Sequence, residues 1–494
     1  MVKISQAIDS LIGAFSPARQ LAREETRNQV QRQRMYAAAK SGRLTGGWRP
    51  VDQNVNDLIA SSSPAVRAKV RQLVRDFPYF ASAVDNLVNL VVGDGIKFQA
   101  RVRSGDQLDK KTNQKIEDIW KRWCDEADVS GRLHFDEMCG LAKRQDLEAG
   151  EYLFVKVKPR GSRFLPYALQ AIEPDRISDL GARTNKSAAL HQGVEYDPQT
   201  GEVLAYHVED EAGGNSKRIP AKNVIHDFRY LRPGQLRGIT RFAPAVLTAY
   251  DLGEYMDAEI DASKAASKYL AFITTQDPAG MQMGRVETEQ ETGQKVEEME
   301  NAIIEYLRPG EMVNIAKSDR PGSQFDPFVK LILRMIAVTI GLPYEILSGD
   351  YQGLNYTTLR GVRNDLVRHI SPQQKQMIRH MCQPTFRDVL DTAYLSRKID
   401  LPGYARDPYQ YQKSSWIPPG VPSPDPLKEG KAYIDQIKNN LRSPQEATAE
   451  RGRDFEEVLD ELAEARKMAI DRGLAAEDVS TAVASNPAAL DGQN

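Results

Sequence analysis

The sequence predicts a mainly helical α+β chain organised as several regions. Three observations support this. Apolar residues recur at helical spacing over most of the 494 residues. The period switches to two between about 151 and 230. A chain this long exceeds what one compact core usually organises.

The N-terminus carries Ile4, Ile8, Leu11, Ile12 and Phe15 on one helical face, and Pro17 stops the pattern. It reads as a short docking helix. It lacks the flanking lysines of a membrane-surface anchor and the layout of a signal peptide. Residues 1–60 read as a flexible basic arm: between Arg19 and Arg49 eight Lys/Arg face only Glu24 and Glu25. Tyr36 and Trp48 are its candidate points of attachment.

Ser63-Pro64 predicts a helix start, with Ser as cap and Pro at the first helical position. Val66, Val70, Leu73 and Val74 give its apolar face. Pro78 opens a second helix (Phe80, Val84, Leu87, Val88, Val91), which Gly93 ends. Gly93-Asp94-Gly95 follows a helix rather than preceding one, so it reads as a C-cap and not a phosphate loop. Ile116, Ile119, Trp120 and Trp123 predict the next helix, and Leu133–Leu147 another. Strands are predicted over Glu151–Lys158, Tyr167–Ile172 and Val224–Tyr230. Gly193–Tyr196 and Glu202–Val208 flank Asp-Pro-Gln-Thr-Gly as a hairpin. Residues 65–235 thus read as an α+β domain.

Phe242–Leu270 is the longest helical stretch, and Thr274–Gly293 is polar and irregular. Val296, Met299, Ile303 and Leu307 predict a shorter helix, Glu311–Ala316 a strand, and Lys317–Gln324 a polar loop. Phe328–Ile340 is an apolar helix ended by Gly341 and Pro343. Helices follow near Tyr356–Ile370 and Pro372–Ser396. The Pro-rich stretch 397–425 is a linker or a surface-hugging strap. Helical segments at Pro426–Asn439, after Ser443-Pro444, and at Asp454–Arg472 precede a tail that reads as disordered.

Composition excludes several functions. No apolar run reaches the roughly 18 residues of a membrane span. Cys124, Cys139 and Cys382 are odd in number and widely spaced, which argues against a disulfide framework or zinc knuckle and makes a reducing cytoplasm the default. No phosphate-binding loop, nucleophile elbow or His-Glu-x-x-His occurs, and the six histidines show no ligand spacing. No catalytic, cofactor or metal residue is assigned, and the chain does not read as an enzyme.

Charge is uneven. From Asp251 to Glu305, thirteen acids face Lys264, Lys268, Arg285 and Lys295, and from Leu441 to the end twelve acids face six bases. Asp251, Glu254, Asp257 and Asp261 lie within about 120° of one another on the long helix. A divalent-metal site there lacks a Glu-x-x-His pair or a facing carboxylate helix. A solvated face and a face lining a shared aqueous channel both fit. Small residues Ala258, Ala262, Ala265 and Ala266 run along the same helix, as close helix packing or simply high helix propensity would have it.

Val66–Ile96, VRAKVRQLVRDFPYFASAVDNLVNLVVGDGI, resembles the lambda-type phage portal family. That family opens its folded part with an Arg-rich helix, an Asn-Pro-Tyr-like break (here Asp76-Phe77-Pro78-Tyr79) and a Val-Val-Gly-x-Gly-Ile ending. Further similarities follow in order: Glu148-Ala149-Gly150-Glu151, Gln170–Arg176, Ile219-Pro220-Ala221, Arg232–Gln235 and Arg237-Gly238. They continue at Tyr344–Arg360, with Thr357 where Ser is usual, and at Trp416–Gly420, Asp425–Glu429 and Ala449–Asp454. The resemblance spans roughly residues 35–475; no motif is catalytic, and their number and order carry it.

The resemblance implies a ring, usually a dodecamer, at one capsid vertex of the virion, assembled in the host cytoplasm. It implies a portal fold with wing (61–240), stem helices (241–307) and a clip (271–294). A wing strand, tunnel loop and following helix would occupy 308–343, crown helices 344–400, and strap, C-terminal helices and tail 401–494. Implied functions are genome packaging, head–tail joining and DNA ejection. Implied partners are other copies of the chain, double-stranded DNA passing without sequence specificity, a terminase large subunit that spends the ATP, the major capsid protein and head–tail adaptors, with no membrane. On this reading Asp251, Glu254, Asp257, Asp261, Lys264, Lys268, Lys317 and Arg320 line the channel. The competing classes are a metal-dependent DNA-processing enzyme and a scaffolding or minor structural protein without a channel.

Overall fold

The computed structural model describes residues 52–105, 107–179, 184, 188–210, 216–268, 271–275, 287–288, 295–296, 311–315, 322–421, 426–451 and 453–471. The chain divides into two compact units, Met1–Asn54 and Val55–Asn494, and the elements below lie in the second. The fold is α+β and mainly helical. The N-terminal helix at 4–15 and the arm with Tyr36 and Trp48 lie outside the described residues.

Helix α1 (Val55–Asp76) buries Val55, Ile59, Val70 and Leu73 along one face. It corrects the expected start at Ser63-Pro64 and takes residues 55–60 from the expected arm. Ser63 is buried and its hydroxyl accepts from Arg67 (3.2 Å), so a tertiary partner claims the side chain that sequence alone reads as a cap. After Phe77, α2 (Pro78–Val91) buries Phe80, Val84, Leu87 and Val91, and Gly93 ends it at φ +51°. Helices α3 (Lys110–Cys124) and α4 (Phe135–Ala149) follow. Asp109 caps α3 through Thr112, and His134 with Glu137 forms a capping box on α4.

Strands β1 (Lys97–Ala100), β2 (Arg103–Ser104) and β3 (Gln107–Leu108) sit between α2 and α3. Strands β4 (Glu151–Val157) and β5 (Ala168–Ile172) join β10 (Val224–Phe228) in an antiparallel sheet of order β10-β4-β5. Strands β6 (Ala189–His191), β7 (Val194–Tyr196), β8 (Val203–Glu209) and β9 (Ser216–Pro220) form a meander that contains the expected hairpin. Leu153, Val155, Ile172, Val194, Tyr206 and Val208 pack as a small second core.

Helix α5 (Val246–Lys268) leads to β11 (Ala271–Thr275). Strand β12 (Glu287–Thr288), in the stretch expected to be irregular, pairs with β13 (Lys295–Val296) just beyond it. Strand β14 (Glu311–Ile315), where a strand was expected, pairs antiparallel with β11, from Ala271↔Ile315 to Thr275↔Glu311. A strand's partner is a long-range choice that its own residues do not encode. Val296, expected to open a helix, lies in β13, and the rest of that helix, 297–307, is outside the described residues.

Helix α6 (Phe325–Ile340) ends at Gly341 (φ +80°), and α7 (Tyr344–Ser348) follows. Asn355 caps α8 (Tyr356–Met377), accepting from the Thr358 amide at 2.9 Å. The predicted break at Pro372 does not occur: α8 runs through it into a π turn (Ile378–Cys382) and then α9 (Gln383–Leu395). Pro372 is on the exposed side, where water can serve the orphaned Arg368 carbonyl, while Ile370, Gln373, Gln374 and Met377 are buried behind it. Buried Gln374 donates to the Leu90 and Pro419 carbonyls, both at 3.0 Å.

The Pro-rich stretch is a strap. Its strand β15 (Ser414–Ile417) pairs with β1 in the register Phe98↔Trp416. Phe98 lies 4.4 Å from Phe386 and 5.0 Å from Trp416 between ring centroids, and Trp120 lies 5.0 Å from Phe135. The Trp416 indole N–H donates to Gln383 Oε1 at 2.9 Å. Trp416→Ala is expected to cost about 2–3 kcal/mol, less than a fully buried tryptophan because this ring is half-buried. A urea midpoint equal to wild type would show that the strap is only draped on the core. Helices α10 (Pro426–Lys438), α11 (Pro444–Ala449) and α12 (Phe455–Asp471) complete the described chain, with Ser443 and Glu446 forming the capping box of α11.

Candidate functional site

Three of the sequence motifs meet in one buried node. Gly150, at the end of α4, has φ +89°, and a Cβ on it would lie 2.2 Å from the Ile239 carbonyl carbon. A Cβ on Gly238 would lie 2.1 Å from the Gly150 carbonyl oxygen. Two glycines therefore let the backbones of Ala149-Gly150-Glu151 and Arg237-Gly238 touch. This contact brings Glu151, fully buried, against Arg237. Arg237 Nη2 donates to Oε1 at 2.6 Å and Nε to Oε2 at 2.9 Å; the Gly238 amide donates to Oε2 at 2.8 Å. His226 Nε2 sits 3.1 Å from Oε2, and Arg67 Nη2 lies 3.4 Å from Oε1. Arg67 continues to Asp175 at 2.6 Å, in the third motif.

Burial by itself would raise the Glu151 carboxyl. The Arg237 charge, with hydrogen bonds from His226 and Arg237, outweighs it and holds the group well below the usual carboxylate range. Arg237 also donates to the Pro174 (2.8 Å) and Gln192 (2.7 Å) carbonyls, which clamps both sheets. The sequence reading did not single out Glu151 and Arg237. The signal was present as a charged residue beside a glycine in two of the quoted motifs.

Above the node, α5 changes character along its length. Val246, Ala249 and Leu252 are buried at its base, and Tyr255 stacks on Phe325 (5.8 Å) and meets Phe328 edge-on (5.1 Å). From Asp257 to Lys264 no residue is buried. Asp251, Glu254, Asp257 and Asp261 are all exposed and share one face. Lys264 is exposed too and pairs with Asp261 at 3.2 Å. The Tyr250 hydroxyl donates to Glu254, and that bond raises its pKa. Ala258 is exposed and Ala262 half-buried. The Lys268 and Ala265 side chains, Lys317 and Arg320 lie outside the described residues. Among the described residues no group of three or more His, Cys, Asp or Glu is placed to hold a metal ion. No described helix is long and apolar enough to cross a membrane.

Beside α5, helix α6 has two apolar faces, with Asp326, Lys330 and Arg334 on the flank between them. Val329, Leu333, Ile336, Ala337 and Ile340 are buried, while Phe328, Leu331, Met335 and Val338 run along the opposite face at spacings of three and four. That second face is open to solvent, Val338 at 82%. Pro244, in the turn before α5, and Thr248, in its first turn, border the same groove. An exposed apolar stripe of this length is the kind of surface that a partner covers.

Residues 41–374 match the family described as phage portal protein, lambda family. Portal protein B of Escherichia phage lambda is 24% identical over 458 residues, covering 83% of this chain and 85% of the lambda protein. The portal protein of Escherichia phage N15 is 22% identical over 459 residues, covering 84% and 86% of the two chains. The probable portal protein of Halomonas phage phiHAP-1 is 24% identical over 471 residues, covering 91% and 89%. Among solved structures, a chain from the neck of an empty GTA particle, computed with C6 symmetry, superposes with a TM-score of 0.45 at 14% identity, over 83% of this chain and 96% of its own.

Proposed function

The chain belongs to the lambda family of phage portal proteins, and from that premise we propose that it is one subunit of a closed ring forming the DNA channel at a capsid vertex. The observation that carries the ring is α6. Phe328, Leu331, Met335 and Val338 form an apolar stripe that the described residues leave bare. A second copy is the natural cover. A repeated head-to-tail contact closes into a ring when its rotation permits. Twelve copies is the number proposed here.

In that ring, residues 61–240 act as the wing, α5 as a stem helix, 344–400 as the crown and 401–494 as strap and C-terminal helices. The β11–β14 pairing favours grouping 311–315 with the clip rather than with the wing. Asp251, Glu254, Asp257 and Asp261 face the channel. An acidic wall cannot release counterions from DNA as Lys and Arg do, so the duplex slides instead of sticking. Lys264, Lys268, Lys317 and Arg320 supply brief contacts. The subunit performs no catalysis; a terminase large subunit docks on the ring and spends the ATP, while the capsid protein and head–tail adaptors hold it in the virion.

Leu331→Asp combined with Val338→Asp tests the ring. Native mass spectrometry is expected to show closed rings for the wild type and monomers for the variant, with unchanged helical circular dichroism. A monomeric wild type would overturn the ring. Intact variant rings would overturn α6 as its interface.

A further inference from the structure

A second charged surface lies on α8 and the π turn, away from the acidic helix in sequence and opposite to it in sign. Arg368, Lys375 and Arg379 are spaced seven and four residues apart, which places them on one face over about 16 Å of helix. With Val367, Ser371 and His380 they line an open cleft of about 570 Å³. All three cations are exposed. Two acids face them. Asp365 lies 3.4 Å from Arg368, and the buried Asp227 lies 3.5 Å from His380 while also accepting from Gln376 at 2.9 Å. Lys375 and Arg379 have no ion-pair partner among the described residues.

We propose that this cleft binds the phosphodiester backbone of double-stranded DNA. The shape decides against a small anion. The site is open and elongated, longer than one phosphate, and no buried donor closes it into a pocket. A duplex presents a charge about every 1.7 Å of its axis, so a 16 Å cationic stripe meets several phosphates at once. Arg and Lys contacts of this kind hold a backbone in place without reading bases. The ring would then slide DNA past one surface and hold it at another. Naming DNA as the polyanion rests on the portal reading; the cleft itself does not.

The test is anisotropy of a labelled duplex with full-length protein across a salt series, comparing wild type with the triple variant Arg368→Gln, Lys375→Gln, Arg379→Gln. If each side chain meets one phosphate, the slope of log affinity against log salt becomes shallower by about 2.7, from 0.9 per lost contact. Binding at low salt is expected to weaken more than tenfold. Arg466→Gln with Lys467→Gln, exposed charges on α12, is expected to leave the slope unchanged. An unchanged slope in the triple variant overturns the proposal, as does an equal loss in the control. Loss of binding to a peptide of the acidic segment 446–464, with DNA binding intact, overturns it in favour of a protein partner. Native mass spectra of the same samples report ring closure independently, so a missing ring and an idle cleft are told apart.

Discussion

Arg237→Ala is expected to leave the α+β region unfolded or insoluble at neutral pH. Removing one partner of a buried ion pair typically costs about 3–5 kcal/mol, because the charge left behind stays dehydrated. Here the stranded group is Glu151, which is fully buried, and whole domains are stable by only about 5–15 kcal/mol. Arg237→Lys should rescue poorly, since an ammonium cannot supply the two-pronged contact to both carboxylate oxygens. Glu151→Gln tests the same node through pH. The Glu151 carboxyl is depressed in the folded state below its ordinary 4.5. Its contribution is therefore fully present above that value and is lost as pH falls from it toward the folded value. Wild-type stability should drop steeply below about pH 4.5, and the Gln variant should show a flatter dependence over the same window. Parallel curves for the two proteins, measured by urea unfolding, would remove Glu151 from the account of acid stability.

The second large effect is on transport. Replacing Asp251, Glu254, Asp257 and Asp261 together by Lys should leave ring assembly intact, because exposed charges contribute little to stability. It should stall DNA packaging. Each lysine that meets a phosphate adds about 0.9 to the salt slope of DNA binding, and ring symmetry multiplies the chances. The stall should ease as salt rises. Packaging by the variant at the wild-type rate in low salt would mean that these four side chains face bulk solvent rather than the channel.

Helices were legible wherever an apolar face repeated and a cap punctuated it. Ile116, Ile119, Trp120 and Trp123 mark α3, and Ser443-Pro444 with Glu446 marks the start of α11. The β7–β8 hairpin was legible from its turn. Where tertiary contacts override local preference, local reading fails. Ser63 bonds Arg67 instead of capping, and Pro372 sits in a helix whose other face is held by Gln374 and Met377. The pairing of β11 with β14 joins residues forty apart and leaves no local trace. The acidic stripe on α5 could be read as a shared face because its spacing follows the helical period, and all four side chains are exposed. Glu151 and Arg237 could not be read as buried, since charged residues are exposed by default.

The pairing of Phe98 with Trp416 sets an order of events during synthesis. More than three hundred residues separate the two strands, so β1 and the ring of Trp120 beside it wait for the strap until synthesis has passed residue 417. Contacts of such separation form late and slowly. A nascent chain halted before residue 414 carries that aromatic cluster open on one side, a sticky surface of the kind chaperones bind. Arrival of the strap then closes the cluster and pairs one edge of β1 in the same step, which ties a subunit's resistance to aggregation to synthesis of residues 414–417.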